Sequence, residues 1–320
     1  PGTPFHRLWR ELLPLDEMAF VYPERVAAVE VDVPGPRGER VFHLYSDLDR
    51  LSRYVRELSP ADGPVMDRLI NLCRGLQRRE LPPRIETAPE LWSVGHKLAM
   101  VGQLPLLLTV LRWLDVTNVG FARRLRSPFL RRAFELIYDD DAPERGMLML
   151  AFQMASFDRR CAGYPVGGSL ALARRLERRY RALGGELHYG AQVARVAVHD
   201  GAATGLELVG GRRHQADLVL SAADGRFTHY EALRGQFLDD DLRRLYEGGR
   251  MRLFPSMLMV SLGAARTFEG CLPDQRFLLA EPLRLPDGTE VRRLPCQIYS
   301  ADPTLAPPGR SMHCGTRACS

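Results

Sequence analysis

Apolar side chains recur every three or four positions along most of the first 160 residues, and this spacing predicts helices. In PFHRLWRELL, positions 4–13, they fall on one helical stripe. Two strand-like runs, VAAVEVDV and RVFHLY, flank the turn PGPRGE and predict a β-hairpin. Ser46 followed by Asp49 resembles a capping box, which places the start of the next helix at Ser46. Further helices are predicted after Pro60, after Pro89, over 106–114, after Ser127 and from Pro143 through the Met-rich RGMLMLAFQMAS.

Residues 163–224 follow a different pattern, in which a Gly-rich turn and one amphipathic helix precede short strands. The helix is predicted to end at the pair 184–185, two glycines. Strands are predicted at ELHYG, QVARVAV and TGLELV, separated by the glycine turns at 200–201 and 210–211. The run ADLVLSAAD, positions 216–224, is apolar on both faces and therefore predicts a parallel strand buried between two layers.

The last hundred residues predict one helix and a second sheet. The helix is expected around DDDLRRLYEG, and the strands at SMLMVSLG, RFLLAE and CQIYS. The final run MHCGTRACS has no periodicity, although DPTLAPPGRS before it reads like the approach to another strand. An irregular C-terminus is therefore expected.

Composition is that of a globular protein of 320 residues, with 45% hydrophobic and 26% charged residues. The net charge of +5 comes mostly from scattered arginine pairs. Solvated helix faces, attraction to an anionic membrane surface and nucleic-acid binding are three interpretations of such pairs. Since the pairs are scattered, solvated faces explain them most simply, and no nucleic-acid partner is expected.

The six cysteines lie far apart and have no spacing that builds a zinc site. They are interpreted as reduced thiols, and the chain opens without a secretory signal pattern, so a cytoplasmic location is expected. The apolar run LAMVGQLPLLLTVL, positions 98–111, is shorter than the about 18 residues that cross a bilayer. It is either part of a buried helix pair or an apolar surface that faces lipid, at the periphery of a membrane.

Familiar catalytic signatures are absent from the sequence, which contains no GxSxG, Walker loop or HExxH. The acidic triplets at 139–141 and 239–241 are interpreted as helix caps in preference to metal ligands, and no metal is predicted. The pair His188 and Tyr189 is interpreted as packing residues in preference to site residues. The pair Asp158 and Arg159 is interpreted as a salt-bridged turn in preference to an acid/base pair. No catalytic side chain is predicted, which favours chemistry carried by a cofactor.

The segment YPVGGSLALARRLERRYRALGGELHYGAQVARV, with ADLVLSAAD, resembles the second flavin-binding segment of the phytoene desaturase family. Relatives of that family include retinol saturases and, more distantly, flavin amine oxidases. The likeness rests on the order of the aromatic-Pro-x-Gly-Gly turn, the helix, the Gly-Gly stop and the Val-x-x-Val strand. More loosely, the rest of the chain resembles the family's substrate domain. The sequence lacks the family's first element, a GxGxxG turn, and its last Gly-rich flavin segment, so the resemblance implies a fragment that is inactive alone.

The resemblance implies an α/β fold, in which a partial FAD/NAD(P)-binding, Rossmann-like domain is interleaved with an α+β substrate domain. Residues 1–162 would form the mainly helical part of the substrate domain, and residues 163–226 the second segment of the FAD-binding domain. Residues 227–320 would form the sheet part of the substrate domain, with an irregular C-terminus.

The cofactor implied by the resemblance is FAD. Val193 would offer its backbone to the adenine side, and Ser221, Ala222 and Ala223 would lie near the nucleotide. Gly167 and Gly168 would permit the tight turn into the helix where the two domains meet, although a simple helix-start turn also explains two glycines.

The implied reaction transfers hydride between flavin and a carbon–carbon bond of a long apolar isoprenoid or polyene. Such a substrate needs an apolar tunnel, for which 104–111, Phe129, Phe134 and 147–154 are the candidates, each equally explained as core. Peripheral membrane contact is plausible with such a substrate. A flavin amine oxidase and a non-catalytic remnant that binds lipid or a partner are the alternative functions.

Overall fold

The computed structural model describes residues 4–78, 93, 104–138, 146–249, 256–268, 271, 274–285, 288 and 290–319. The chain forms two compact units, a large unit of 1–179 with 256–320 and a small unit of 180–255. The predicted helix after Pro89 and the acidic triplet 139–141 lie outside the described residues. The predicted domain boundaries at 162 and 226 stay a prediction.

Helices dominate the first half of the chain, where the apolar periodicity predicts them. They are α1 (Pro4–Leu12), α2 (Leu48–Leu58), α3 (Gly63–Arg78), α4 (Leu104–Trp113), α5 (Asn118–Ala122), α6 (Pro128–Glu135), α7 (Met147–Asp158) and α8 (Gly168–Ala182). Ser127 caps α6 as predicted, because its Oγ accepts the N–H of Leu130 at 3.4 Å. The cap predicted at Ser46 is wrong by one residue, since Asp47 Oδ1 accepts the N–H of Arg50 at 2.7 Å.

Four buried aromatic rings form the centre of the large unit's core. Phe42 lies 5.5 Å from Phe134, which lies 5.0 Å from Phe121, and Phe129 packs edge-on against Phe42. Burying each ring contributes about 1.5–3 kcal/mol to stability. Phe129 and Phe134, two candidates for the predicted tunnel, are therefore close-packed core residues.

The strands, in chain order, are β1 (Phe20–Val21), β2 (Arg25–Glu30), β3 (Val41–Tyr45), β4 (Tyr164–Pro165), β5 (Val193–His199), β6 (Ala202–Leu208), β7 (Arg213–Gln215), β8 (Ser256–Ala264), β9 (Asp274–Arg284), β10 (Glu290–Ile298) and β11 (Ser311–Cys319). The large unit contains a six-stranded sheet in the order β3-β2-β9-β10-β11-β8. Strands β2 and β9 pair in parallel and the other neighbours are antiparallel, so the sheet is mixed and the chain is α/β, as predicted.

Residues 312–319 of the C-terminal run MHCGTRACS belong to β11, so the irregular C-terminus predicted there is wrong. Strand β11 pairs with β10 on one edge and with β8 on the other. The pairing with β8 extends over 311–319 and that with β10 over 313–315, and such ladder hydrogen bonds need no alternation of side chains along the strand.

The small unit contains the antiparallel sheet β5-β6-β7 and the helix α9 (Asp240–Glu247). The turns predicted at 200–201 and 210–211 join its strands. Two predicted strands are wrong, because neither ELHYG nor 216–224 forms a ladder. Leu218 and Leu220 are 74% and 87% exposed, and no described strand lies on either side of this run to bury it.

Candidate functional site

The glycine turn before α8 is built so that only glycine fits. Gly167 and Gly168 have φ values of 88° and 71°, in the left-handed region that side chains disfavour. A Cβ on Gly167 would lie 2.8 Å from Cβ of Ala171, and one on Gly168 would lie 3.2 Å from Cδ2 of Leu305. Backbone conformation and crowding together explain both glycines.

Two other parts of the large unit hold this turn. Strand β4 pairs with β1, and the N–H of Val166 donates to the carbonyl of Ala19 at 3.0 Å. On the other side, the N–H of Gly167 donates to Oδ2 of Asp302 at 2.8 Å. The turn is thus joined to segments that lie far away in the sequence.

The carboxylate of Asp302 is buried and accepts three hydrogen bonds. Besides the N–H of Gly167, the N–H and the hydroxyl of Thr304 donate to its Oδ1 at 3.0 and 2.6 Å. Burial by itself raises the pKa of Asp302, but the hydrogen bonds from Thr304 and Gly167 outweigh it, so the pKa lies below its ordinary value. Asp302 remains a carboxylate and an acceptor at neutral pH.

Asp302 was not among the residues predicted for the site. The signal available in the sequence is local, since Asp302 precedes Pro303 and Thr304 as an N-cap does. The partner of its second oxygen, Gly167, lies 135 positions away and cannot be found from local sequence.

Val193 lies at the start of β5, an edge strand of the small sheet. It pairs with Leu208, and Ala194 is an extra residue before the next pair, Arg195 with Glu207. Such a bulge bends the strand, and bulges are common beside functional sites. Within the residues that the structure describes, no strand pairs with the outer edge of β5.

A hollow of about 560 Å³ adjoins Val193 in the chain. It is lined by 187–192, 208–210 and Arg212. His188 and Tyr189, interpreted from the sequence as packing residues, form part of its wall, and Tyr189 is 76% exposed. The beginning of β5 therefore follows directly on residues that line a concave surface.

Ser221, Ala222 and Ala223 are exposed and belong to no helix or strand. The hydroxyl of Ser221 lies 2.8 Å from that of Thr228 in the helical turn 227–232, which packs against β5. The structure therefore brings these residues and Val193 into one unit, whereas Gly167 and Gly168 belong to the large unit.

Two arginines share one carboxylate on the small sheet. Arg195 and Arg213 donate to Oε2 of Glu207 at 2.5 and 3.0 Å. The hydrogen bond from Arg195, with that from Arg213, lowers the pKa of Glu207. With Arg212 at the rim of the hollow, the local balance is positive.

The remaining acidic candidates are structural. Asp158 accepts the N–H of Leu48 at 2.9 Å and the amide of Gln77 at 2.7 Å, which joins α7 to α2 and α3. Asp239 caps α9 by accepting the N–H of Leu242 at 2.8 Å, as predicted for the triplet 239–241. Among the described residues, no cluster of three or more His, Cys, Asp or Glu is arranged to hold a metal ion. None of the helices described is long and apolar enough to pass through a bilayer.

Comparison with known proteins finds no family model that matches the chain. Over 105 residues the chain is 36% identical to a zeta-carotene-forming phytoene desaturase from Myxococcus xanthus. This alignment covers 33% of this chain and 19% of the relative. Over 293 residues it is 25% identical to a lycopene-forming phytoene desaturase from a Paracoccus species. This second alignment covers 86% of this chain and 56% of the relative.

Among solved structures, an oxidoreductase from Methanosarcina mazei aligns over 100% of this chain and 65% of its own length, with a TM-score of 0.50 and 20% identity. That likeness concerns the fold. The aligned part of this chain thus spans about a fifth of the Myxococcus relative and about half of the Paracoccus relative. It spans less than two thirds of the solved Methanosarcina chain. By its sequence, the chain is similar to two phytoene desaturases, in each case over part of their length.

Proposed function

We propose that the protein is an FAD-dependent oxidoreductase that acts on carbon–carbon bonds of a long apolar isoprenoid or polyene. The similarity to two phytoene desaturases, one of them over 86% of this chain, supports this reaction class. Bound FAD would supply the hydride acceptor or donor, and the polypeptide would supply binding and orientation.

The observation that carries the proposal is the open edge of β5 at Val193. Among the described residues no strand pairs with this edge, so its backbone N–H and C=O groups can bind a ligand. The hollow of about 560 Å³, lined by 187–192 just before Val193 in the chain, lies within the volume range of small-molecule sites. These features fit the adenine side of a dinucleotide. The local excess of arginine around Glu207 favours an anionic ligand.

Small side chains at 221–223 also support binding of a dinucleotide to the small unit. Ser221, Ala222 and Ala223 are exposed, so a ligand can approach their backbone closely. No side chain in the described site has the geometry of a catalytic acid or base, and none is assigned. What this chain contributes is a backbone surface, which agrees with chemistry carried by the cofactor.

An apolar surface on the large unit supports an apolar substrate drawn from a membrane. Four leucines lie on one face of α4 and a fifth follows the helix, each between 39% and 56% exposed: Leu104, Leu107, Leu108, Leu111 and Leu114. Met149 and Phe152 of α7, which packs against α4, are 64% and 49% exposed.

We refer to the five leucines as the leucine face. Arg112 is exposed and lies one helical turn from Leu108, where it can contact anionic headgroups. We propose that the leucine face rests on the lipid surface from which the substrate enters.

A binding experiment tests the cofactor. The protein, expressed from its whole reading frame, is titrated with FAD, and flavin fluorescence reports the dissociation constant. In the variant Ala222→Trp, an indole ring blocks approach to the backbone, so binding is expected to weaken about tenfold or more. The control Ala202→Trp places the same ring on an exposed residue at the start of β6 and leaves affinity unchanged.

A turnover experiment then tests the reaction. FAD-loaded protein is mixed with a polyene dispersed in lipid, and the absorbance spectrum of the polyene is followed for a change in conjugation. Turnover of an amine with release of peroxide, and none of the polyene, would instead indicate an amine oxidase. Protein that never retains flavin contradicts the proposal and favours a non-catalytic remnant.

A further inference from the structure

Four side chains that carry oxygen, nitrogen or sulfur form a row across one face of the six-stranded sheet in the large unit. Asp274 on β9 pairs with Gln297 on β10, and Gln297 pairs with Cys314 on β11. Cys314 pairs in turn with Ser261 on β8. Residues that oppose each other on neighbouring antiparallel strands point to the same face of a sheet. We refer to these four residues as the polar row.

The polar row offers both a hydrogen-bond donor and a hydrogen-bond acceptor. The hydroxyl of Tyr299 donates to Oε1 of Gln297 at 2.8 Å, and among the residues that the structure describes none accepts from the amide nitrogen of Gln297. Ser261 donates its hydroxyl proton to Sγ of Cys314 at 3.8 Å, so the lone pairs of the Ser261 oxygen remain for another donor. A ligand that accepts or donates a hydrogen bond therefore finds a partner in the polar row.

Tyr164 of β4 lies in the same neighbourhood. The N–H of Gly167, three residues after Tyr164, donates to Asp302, three residues after Tyr299, at 2.8 Å. Burial raises the pKa of Tyr164, and the carboxylate of Asp274 raises it further. The pKa of Tyr299 is also raised, by burial first and then by groups that include Tyr164 and Asp274. In the described part of the chain, the hydroxyl of Tyr164 makes no hydrogen bond.

The charges at the polar row balance. The carboxylate of Asp274 lies 2.7 Å from the guanidinium of Arg276, and both side chains are mostly buried. The amide of Gln297 and the hydroxyls of Ser261 and Tyr164 carry no charge at neutral pH. The polar row therefore favours a neutral polar group over a carboxylate or a phosphate.

Apolar side chains flank the polar row on the same face. Met259 lies two residues before Ser261 and Met312 two residues before Cys314, and side chains two apart along a strand share a face. Met259 is 59% exposed, and Met312 is half-buried. Gly263, which pairs with Met312, leaves open space, because a Cβ there would meet no atom within 4 Å. An apolar molecule therefore has room to lie beside the polar row.

We infer that the polar row binds a neutral oxygen, a hydroxyl or a carbonyl, on an otherwise apolar molecule that lies across Met259 and Met312. The inference rests on the proposed function, since it narrows that substrate to an isoprenoid or polyene that carries such an oxygen. A pure hydrocarbon on this face would cover Gln297 and Ser261 without a hydrogen-bond partner, which is unfavourable. An oxygen on the ligand can accept from the amide of Gln297, and a hydroxyl can also donate to Ser261.

Binding of four isoprenoids with the same carbon chain tests the inference. Farnesol carries a hydroxyl, farnesal a carbonyl, farnesoic acid a carboxylate, and farnesene no oxygen. Protein expressed from the whole reading frame is dialysed to equilibrium against each radiolabelled compound, which gives four dissociation constants. The assay requires neither flavin nor turnover.

Two variants and a matched control locate the oxygen. Gln297→Leu removes the amide and nearly keeps the size, and Tyr164→Phe removes only a hydroxyl. Gln275→Leu is the control, because Gln275 is half-buried on the neighbouring strand β9 and points to the opposite face of the sheet. The melting temperature of each variant shows whether it folds.

In the unaltered protein, farnesol or farnesal is expected to bind about tenfold more tightly than farnesene and than farnesoic acid. The tighter of the two identifies a hydroxyl or a carbonyl as the oxygen. Gln297→Leu should reduce the advantage over farnesene to about twofold or less, Tyr164→Phe should reduce it in part, and Gln275→Leu should leave it unchanged. If Gln297→Leu does not fold, Tyr164→Phe carries the same comparison.

Equal binding of farnesol, farnesal and farnesene would overturn the inference, as would tightest binding of farnesoic acid. An advantage that persists in both Gln297→Leu and Tyr164→Phe would overturn it too. Protein that turns over a polyene but shows no preference for oxygen leaves the proposed function standing and removes only the role of the polar row. Protein that shows the preference but never retains flavin removes the proposed reaction and leaves the oxygen site.

Discussion

Asp62 and Ser127 are joined by a hydrogen bond of 2.9 Å from the N–H of Ser127 to Oδ2 of Asp62. The other oxygen of the same carboxylate accepts the N–H of Arg126 at 2.6 Å. Asp62 is completely buried, at the end of the turn before α3. One side chain therefore ties the start of α6 to the start of α3 and satisfies two backbone donors.

Replacing Asp62 is expected to destabilise the large unit strongly. In Asp62→Ala two N–H groups lose a charged acceptor, which costs about 3 kcal/mol of the free energy of unfolding. Urea unfolding measures the loss. The control Asp67→Ala removes a surface ion pair, in which the carboxylate of Asp67 lies 2.6 Å from the guanidinium of Arg56. This variant is expected to lose only about 0–1 kcal/mol. Equal losses in the two variants would contradict this account of Asp62.

Gly205 in β6 is expected to tolerate no side chain. A Cβ there would lie 2.0 Å from the carbonyl oxygen of His214 on β7, and its φ of 148° is unfavourable for other residues. Gly205→Ala should therefore separate β6 from β7 and cost about 3 kcal/mol or more. In the control Gly201→Ala, a φ of 79° in open space costs only about 1 kcal/mol. Circular dichroism during thermal unfolding gives the melting temperatures of the two variants. Equal melting temperatures would contradict the expected clash between a side chain at position 205 and β7.

The ion pair between Asp32 and Arg132 is expected to contribute stability that depends on pH. Two hydrogen bonds, of 2.9 and 3.1 Å, join the guanidinium to the carboxylate. The hydrogen bonds from Arg132 lower the pKa of Asp32, against the opposing effect of partial burial. The contribution is thus fully present above the ordinary pKa of aspartate and is lost as the pH falls through the lowered value.

Asp32→Asn tests this sign. Because both side chains are more than a third exposed, the variant should lose only about 0.5–1 kcal/mol of unfolding free energy at neutral pH. Urea unfolding at neutral pH and at a pH of about 3 should show the gap closing on acidification. A gap that is independent of pH would mean that the charge of Asp32 contributes nothing.

The leucine face is expected to bind lipid. Leu108→Glu places a charge at its centre and should weaken binding to vesicles of phosphatidylcholine and phosphatidylglycerol about tenfold, because one buried leucine contributes about 1.5–3 kcal/mol. Co-sedimentation with vesicles measures the binding. Leu183→Glu is the control, since Leu183 is 76% exposed and lies after α8, off the leucine face. If both variants sediment with vesicles to the same extent as the unaltered protein, the proposal that the leucine face contacts the membrane is contradicted.

Local patterns in the sequence predict the helices well. The repeat of Leu48, Leu51, Val55 and Leu58 predicts a helix with one buried face, and all four are buried in α2. A helix forms its hydrogen bonds within itself, so its pattern is contained in one stretch of chain.

Strands depend on partners that local patterns do not reveal. The run at 216–224 has the composition of a buried strand, yet among the described residues no neighbouring strand pairs with it. The run MHCGTRACS has no such composition, yet its residues 312–319 pair with β8 and its residues 313–315 also pair with β10. The same reason explains why Asp302 could not be predicted from the glycine turn that it holds.

Amide hydrogen exchange with and without FAD tests the central claim, that the beginning of β5 lies beside an adenine dinucleotide. The account predicts slower exchange on FAD addition in the peptide 187–195, which contains Val193, and in 219–224. Exchange in β7, at 213–215, should stay unchanged and serves as the internal reference. FAD bound with no change at 187–195, or with protection confined to other peptides, would contradict the claim.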